Sequence, residues 1–508
     1  MKNRDLSLLL LVLSLFITSF WAVKNFSEVK AGGISSNWAS NSYLNQTFRD
    51  DAPTSGDILR ALYGDGITPG ATIYTSGWDA SCDTGVMNVV YVDSYEMNPI
   101  VNPLLKNFVA DTVYVLQSGS HLISEVSTGA GTCIAIIGSG NVTIYSTGLL
   151  SNISVIDAPF FSRSQFMFDA SSRVIIDNIK FDAINDGLGG THSTGYGGIE
   201  INRLEGGTFH DIQVENLTLN SGQWNTLNFA AFRFYDTKNI KIIDTATVTT
   251  GIMGGYALGS GENMQIQNFS CQGYSYICMN IDRARNMFIS SGLVKGAWGG
   301  IAIVNTDLIT LSGVNIEGNV SLGSAIGIYF VGSGNKIYNT TVSNIYGFSG
   351  LFLGFVNPGI NISFGANFEG SDNDINNLKI HDNRVSASLY GPVKSNNITY
   401  FNNNSSGSLT SITGTKLLSG GFTIGGSNSH ISNSSFYNNG VAIRYYDSND
   451  IAFNNTIHNS LLYNNGVAIA SKGDILRNLS DEFNFPIDVA LSNTQIFNNK
   501  IGMDLIGG

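Results

Sequence analysis

The chain has 508 residues, more than one compact core usually holds, so it either divides into domains or grows as a solenoid. Hydrophobic residues make up 43% and charged residues only 13%, a balance that excludes a disordered polyelectrolyte. The net charge of −12, without a Lys/Arg cluster, argues against a nucleic-acid partner and leaves glycans open, neutral or bridged by cations.

Lys2 and Arg4 precede an apolar run from Leu6 to Val23. Eighteen residues at helical rise span roughly 27 Å, close to a bilayer's hydrocarbon thickness. Residues 1–31 are therefore expected to be a cleaved signal, ending near Val29-Lys30-Ala31, or else a membrane anchor. Either way the remainder is exported, and the membrane is touched only through this segment. Residues 32–111 read as an N-terminal cap or small β-rich module, with a short helix near Asp57–Tyr63 and strand-like ATIYTS and MNVVYVDSY. A solenoid needs its first coil covered, since an open edge invites aggregation. The four cysteines suit an oxidising compartment and allow three pairings, among them Cys82 with Cys133 and Cys271 with Cys278.

From Gln165 onward an apolar-x-apolar triplet returns: FMF (166–168), IEI (199–201), FRF (232–234), YAL (256–258), MNI (279–281), IAI (301–303) and IGI (326–328). The steps are 33, 33, 24, 23, 22 and 25 residues. Most triplets are followed by a polar turn and further strand, as in IKIIDTATV and MQIQNFSC. Towards the C-terminus FYNNGVAI (436–443), LYNNGVAI (462–469) and IFNNKIGM (496–503) are near copies. Short alternating strands at this period indicate a β-solenoid, with Asn at turns that require left-handed backbone. From about Thr112 to the end the chain resembles the pectin-lyase-like right-handed parallel β-helix superfamily, and its Asn-rich C-terminal coils are similar to NosD-like repeats. CIAIIGSGNVTIYS (133–146) is similar to the first coil of such proteins. The resemblance implies an all-β right-handed parallel β-helix over 112–508, but no particular activity. Because IGMDLIGG stops mid-pattern, the chain is expected to continue or to have its end covered by a partner.

Period-2 alternation directs the middle residue of each triplet, and the residue after it, outwards. The middle row then runs Met167, Glu200, Arg233, Ala257, Asn280, Ala302, Gly327, and continues through Thr423, Ala442, Ala468 and Gly502. The following row runs Asp169, Asn202, Tyr235, Gly259, Asp282, Val304, Tyr329. Long loops at 184–198, 221–229, 271–276 and 293–300 bring His192, Tyr196, Trp224, Tyr274, Tyr276 and Trp298 to the rim of this face. With Tyr235 and Asn280 they compose a glycan-binding surface, aromatic for sugar C–H faces and planar-polar for hydroxyls. The charged rows coincide with the long loops, which localises function to residues 160–300. The plainer reading is that Glu200 and Arg233 form an exposed cross-strand pair worth only tenths of a kcal/mol.

Catalytic signatures are sparse. Asn305-Thr306-Asp307 matches one polygalacturonase element, but the Gly-His-Gly and Arg-Ile-Lys elements are missing. If the chain is a lyase or hydrolase, Glu200, Arg233 and Asp282 are the candidate catalytic residues, with Arg283 as a further lyase base. No metal centre is expected. Asp372-x-Asp374-x-Asn376 starts like a calcium loop but lacks its Gly and its final acid, so calcium is only a weak candidate cofactor. The expectation is an exported, cell-surface or secreted protein that binds polysaccharide or surface glycan, or mediates adhesion, without turnover. An extracellular polysaccharide lyase or hydrolase and a structural stalk are the alternatives.

Overall fold

A computed structural model of the protein describes residues from Thr72 to Leu505, except 75–85, 93–111, 147–165, 183–198, 216–229, 249–253, 274–276, 297–298, 319–325, 346–363, 404–408, 411–415, 446–453, 472–488 and shorter gaps. The apolar segment at 6–23, the residues near Asp57–Tyr63, and Gly508 lie outside the described residues. Among those described, no helix is long and apolar enough to cross a membrane.

Every named element is a strand, and almost all pair in parallel with the strand one coil earlier and one coil later. The fold is a right-handed parallel β-helix. Each coil contributes to three sheets. Sheet 1 collects the triplets, for example Ile199–Asn202, Ala230–Tyr235, Gly254–Gly259 and Ile277–Asp282. Sheets 2 and 3 come from the strand-like stretches that follow, most of which bend in the middle. In Ile240–Val248 the first half pairs with Glu262–Gln267 and the second with Ser270–Gln272. The bend falls on a residue in the left-handed region: Asn178, Asp211, Asp244, Asn268, Asn339, Asn377, Asn397, Asn433, Asn459 or Asn493, with Ser291 and Gly313 in the same place on two further coils. Asn and Asp tolerate that backbone, which explains the Asn-rich sequence.

Two observations refine the sequence expectations. The strand Val86–Val92, in the region assigned to the cap, pairs in parallel with Thr112–Ile123 and so continues the ladder towards the N-terminus. The sheet 1 register also corrects the exposed row. Ala302 aligns with Tyr329, not Gly327, and Thr423 aligns with Arg444, then Ala470, then Asp504. Ala442 and Ala468 sit two residues earlier and are buried. Alternation of period two is unchanged by a two-residue slip, so pattern alone cannot choose between these registers. The register thus assigns positions 444 and 504, not 442 and 502, to this row.

The core is one column of Ile, Val, Leu and Phe enclosed by the three sheets. Its polar exceptions are ordered. Asn383, Asn403, Asn439 and Asn465 are buried at the turn from sheet 3 towards sheet 1. The side-chain oxygen of Asn439 accepts the Asn403 backbone N–H at 3.0 Å, and Asn465 does the same for Asn439 at 3.0 Å. Each Asn thus satisfies a backbone donor that the turn would otherwise strand in the core.

Candidate functional site

Tyr235, Asn280 and Asp282 all lie on the outer face of sheet 1, with Arg233 between Glu200 and Ala257 on neighbouring coils. Tyr235 is 42% exposed. It stands where it does because the next coil carries Gly259 at the same register position. A Cβ there would come within 2.7 Å of the Tyr235 ring, so the missing side chain is what admits the ring. The tyrosine hydroxyl reaches the next coil but one, where Arg283 Nη2 donates to it at 3.4 Å.

Arg283 occupies the turn after sheet 1 with φ of +54°, and its Nε donates to Asp282 Oδ2 at 2.9 Å. Asn305, one coil on, donates its amide to the other Asp282 oxygen at 3.1 Å. The hydrogen bond that Arg283 donates to Asp282, and then the one it donates to Tyr235, raise its pKa, so the guanidinium is a fixed cation. Tyr235, Asp282, Arg283 and Asn305 therefore form one polar network across four coils beside an open aromatic ring. Both carboxylate oxygens of Asp282 already accept hydrogen bonds, which makes it an orienting group for Arg283.

The register places Glu200 three coils from Asn280 and Asp282, ~14 Å along the axis. Carboxyl pairs that flank one glycosidic bond stand ~5–9.5 Å apart. Asn305-Thr306-Asp307 forms the bend between sheets 1 and 2, with Thr306 buried and Asp307 in register with Arg285. The calcium-like residues Asp374 and Asn376 lie on the strand Asn373–His381, where Asp374 accepts from the Tyr338 hydroxyl. Among the described residues no cluster of three His, Cys, Asp or Glu could hold a metal ion. His192, Tyr196, Trp224, Tyr274, Tyr276 and Trp298 lie outside the described residues, as does Cys82. Cys271 and Cys278 form a disulfide across the loop that enters this face, and both are fully buried.

One cluster escapes the sequence reading. On the outer row at the end of sheet 2, Asp177 faces His210 on the next coil, both about 97% buried. His210 Nδ1 lies 2.7 Å from Asp177 Oδ1 and Nε2 lies 3.1 Å from Asp244 Oδ2. Asn268 donates to Asp244 one coil further on. The imidazole thus meets a carboxylate at each of its two ring nitrogens. The signal was available in VIIDN, TFHDI and KIIDT, one repeat position apart, but an outer row is expected to be solvated, and this one is buried.

No protein-family model matches the chain, and no curated protein matches it. Among solved structures it is similar to the A-module of the Azotobacter vinelandii mannuronan C-5 epimerase AlgE4, at 10% identity over 78% of this chain and 89% of that one, with a TM-score of 0.35. It is also similar to the catalytic domain of a GH87 α-1,3-glucanase in complex with nigerose, at 13% identity and a TM-score of 0.34. That alignment covers 77% of this chain and 61% of the glucanase domain. A mutant of the periplasmic alginate epimerase AlgG aligns over 90% of this chain and 96% of its own, at 10% identity and a TM-score of 0.33. At these TM-scores the superpositions carry no argument about chemistry, and the fold rests on the strand register described above.

Proposed function

We propose that this is an exported polysaccharide-binding β-helix protein that holds a glycan chain on the outer face of sheet 1 without cleaving it. The observation that carries the proposal is Tyr235, an exposed ring seated over Gly259 and tied by its hydroxyl to the Arg283–Asp282–Asn305 network. Sugar C–H faces pack on such a ring, while a fixed guanidinium and amides bond hydroxyls or carboxylates. Asn280 and Arg233 extend the surface along the coils, and the loops bearing His192, Tyr196, Trp224, Tyr274, Tyr276 and Trp298 are its proposed rim. The engaged state of Asp282 and its distance from Glu200 favour binding over hydrolysis. The apolar N-terminal run supports export, and the net charge of −12 supports a partner other than nucleic acid.

The test is a panel of neutral and acidic polysaccharides offered to the purified ectodomain, with calcium and with EDTA. Retention and chain shortening are recorded together. Tyr235→Ala and Arg283→Ala should each weaken binding about tenfold or more, with no new reducing ends from the wild type. Shortening that disappears in Glu200→Gln would instead make the protein an enzyme. Wild-type retention by both binding variants would remove sheet 1 as the site.

A further inference from the structure

The C-terminal coils carry a second surface, on sheet 3, that the sheet 1 reading leaves unused. Phe401, Tyr437, Tyr463 and Phe497 occupy the same register position on four successive coils. Their rings stack with centroids 4.9, 5.0 and 5.2 Å apart and planes within 11° of parallel. His381 extends the stack by one coil at 4.9 Å, and the Lys379 ammonium sits over Phe401. The rings are partly exposed, with Phe497 at 41%. Because each ring covers its neighbour's face, the ladder presents edges, whose C–H groups are electropositive.

Four residues before each ring stands an exposed asparagine: Asn397, Asn433, Asn459 and Asn493. Asn459 donates to Asn433 at 2.5 Å, and Asn493 donates to Asn459 at 2.9 Å. An amide has two N–H groups and two acceptor lone pairs, so such a ladder engages one of each and leaves the others for a ligand. Between the asparagine and aromatic rows lie Thr399, Ser435, Leu461 and Gln495, of which Thr399 and Ser435 are small. The rows run along the solenoid axis for three coil spacings, ~14 Å, and bound a shallow groove whose charged groups, Lys379 over Phe401 and Asp382 beside His381, lie at its N-terminal end.

We propose that this groove binds an extended, uncharged polysaccharide lying parallel to the axis. A surface repeating one amide and one ring edge per coil is matched by a ligand that also repeats, and a single cation at one end, Lys379, does not match a uronate at every unit. Hydroxyls find an amide at every coil on one wall, and ring edges and the Tyr437 and Tyr463 hydroxyls on the other. Burial, followed by the nearby Tyr463 and Asp382, raises the Tyr437 pKa, so its hydroxyl remains a donor. The site is separate from sheet 1, so either can fail alone.

The experiment is native affinity electrophoresis of the ectodomain in gels cast with hydroxyethylcellulose, glucomannan or dextran, and with polygalacturonate as the acidic comparison. Ser435→Trp and Thr399→Arg block the floor while leaving the ring ladder in place, and Tyr437→Ala opens a wall. At least one neutral polymer should retard the wild type, with affinity falling about tenfold or more in Ser435→Trp. Ser435→Trp should cause the same fold loss in a Tyr235→Ala background, and its thermal midpoint should stay within a degree or two of wild type. Should Ser435→Trp misfold, Thr399→Arg decides the same point. No retardation by any neutral polymer, or retardation unchanged in the floor variants, would leave the ladder as a purely structural brace and overturn the proposal.

Discussion

At the scale of single residues, the solenoid concentrates its risk in a few buried polar groups. Asn439 satisfies the backbone N–H of Asn403 and donates to the Tyr400 carbonyl at 2.9 Å. Replacing it with alanine removes the partner of both groups on the preceding coil, and a loss of about 2–4 kcal/mol is expected in denaturant unfolding. His210 is only 2% exposed and bridges Asp177 to Asp244. His210→Ala leaves Asp177 buried beside an empty space, with an expected cost of about 3–5 kcal/mol, read from the unfolding midpoint. Gly259→Ala acts differently. The added Cβ displaces the exposed Tyr235 ring from Arg283 without opening the core, so glycan retention should fall while the thermal midpoint holds. If retention is unchanged, Tyr235 is not where the sugar packs.

At the scale of elements, the disulfide links a sheet 3 strand to the start of the sheet 1 strand of the next coil. Its sequence separation is 7, and closing so short a loop stabilises the fold by about 2.5 kcal/mol in the chain-entropy model. Both sulfurs lie in the core beside Gly255, whose lack of a side chain makes room for Cys271. The Cys271→Ser, Cys278→Ser double variant should lower stability by that amount in chemical denaturation. Its glycan retention should also drop, because the linked loop leads directly into Asn280 and Asp282. The legible and illegible parts of the site divide here. The positions of Tyr235, Asn280 and Asp282 on one face follow from alternation within a triplet. Their connection through Arg283 and Asn305 does not, since it depends on turn residues from successive coils that meet only after stacking.

For the molecule as a whole, each coil touches only its neighbours, so stability is close to a sum of coil and interface terms. Near-identical repeats permit a direct test. Deleting Phe436–Leu461 joins Ser435 to Leu462, its successor's equivalent of Phe436, and preserves register in all three sheets. The shortened chain should fold with unchanged β circular dichroism and a modestly lower thermal midpoint. A chain that fails to fold would mean that the coils are not interchangeable units. The aromatic ladder loses one of its four rings in this deletion, so retention in neutral-polymer gels should weaken as well.

The sequence by itself determined the solenoid, because a short apolar repeat with Asn at left-handed bends admits few other folds. It also placed Tyr235, Asn280 and Asp282 outward and placed Cys271 near Cys278, since both facts are local. Tertiary structure alone decided the register of the later coils, where a two-residue slip from Ala442 to Arg444 leaves the pattern intact. It also decided that Asp177 and His210 are buried on a face that alternation assigns to solvent. And it decided that rings about 20 to 36 residues apart, each unremarked in its own coil, stack into a ladder, because coil spacing is a property of the backbone hydrogen bonds between chains of sequence that no window can see together.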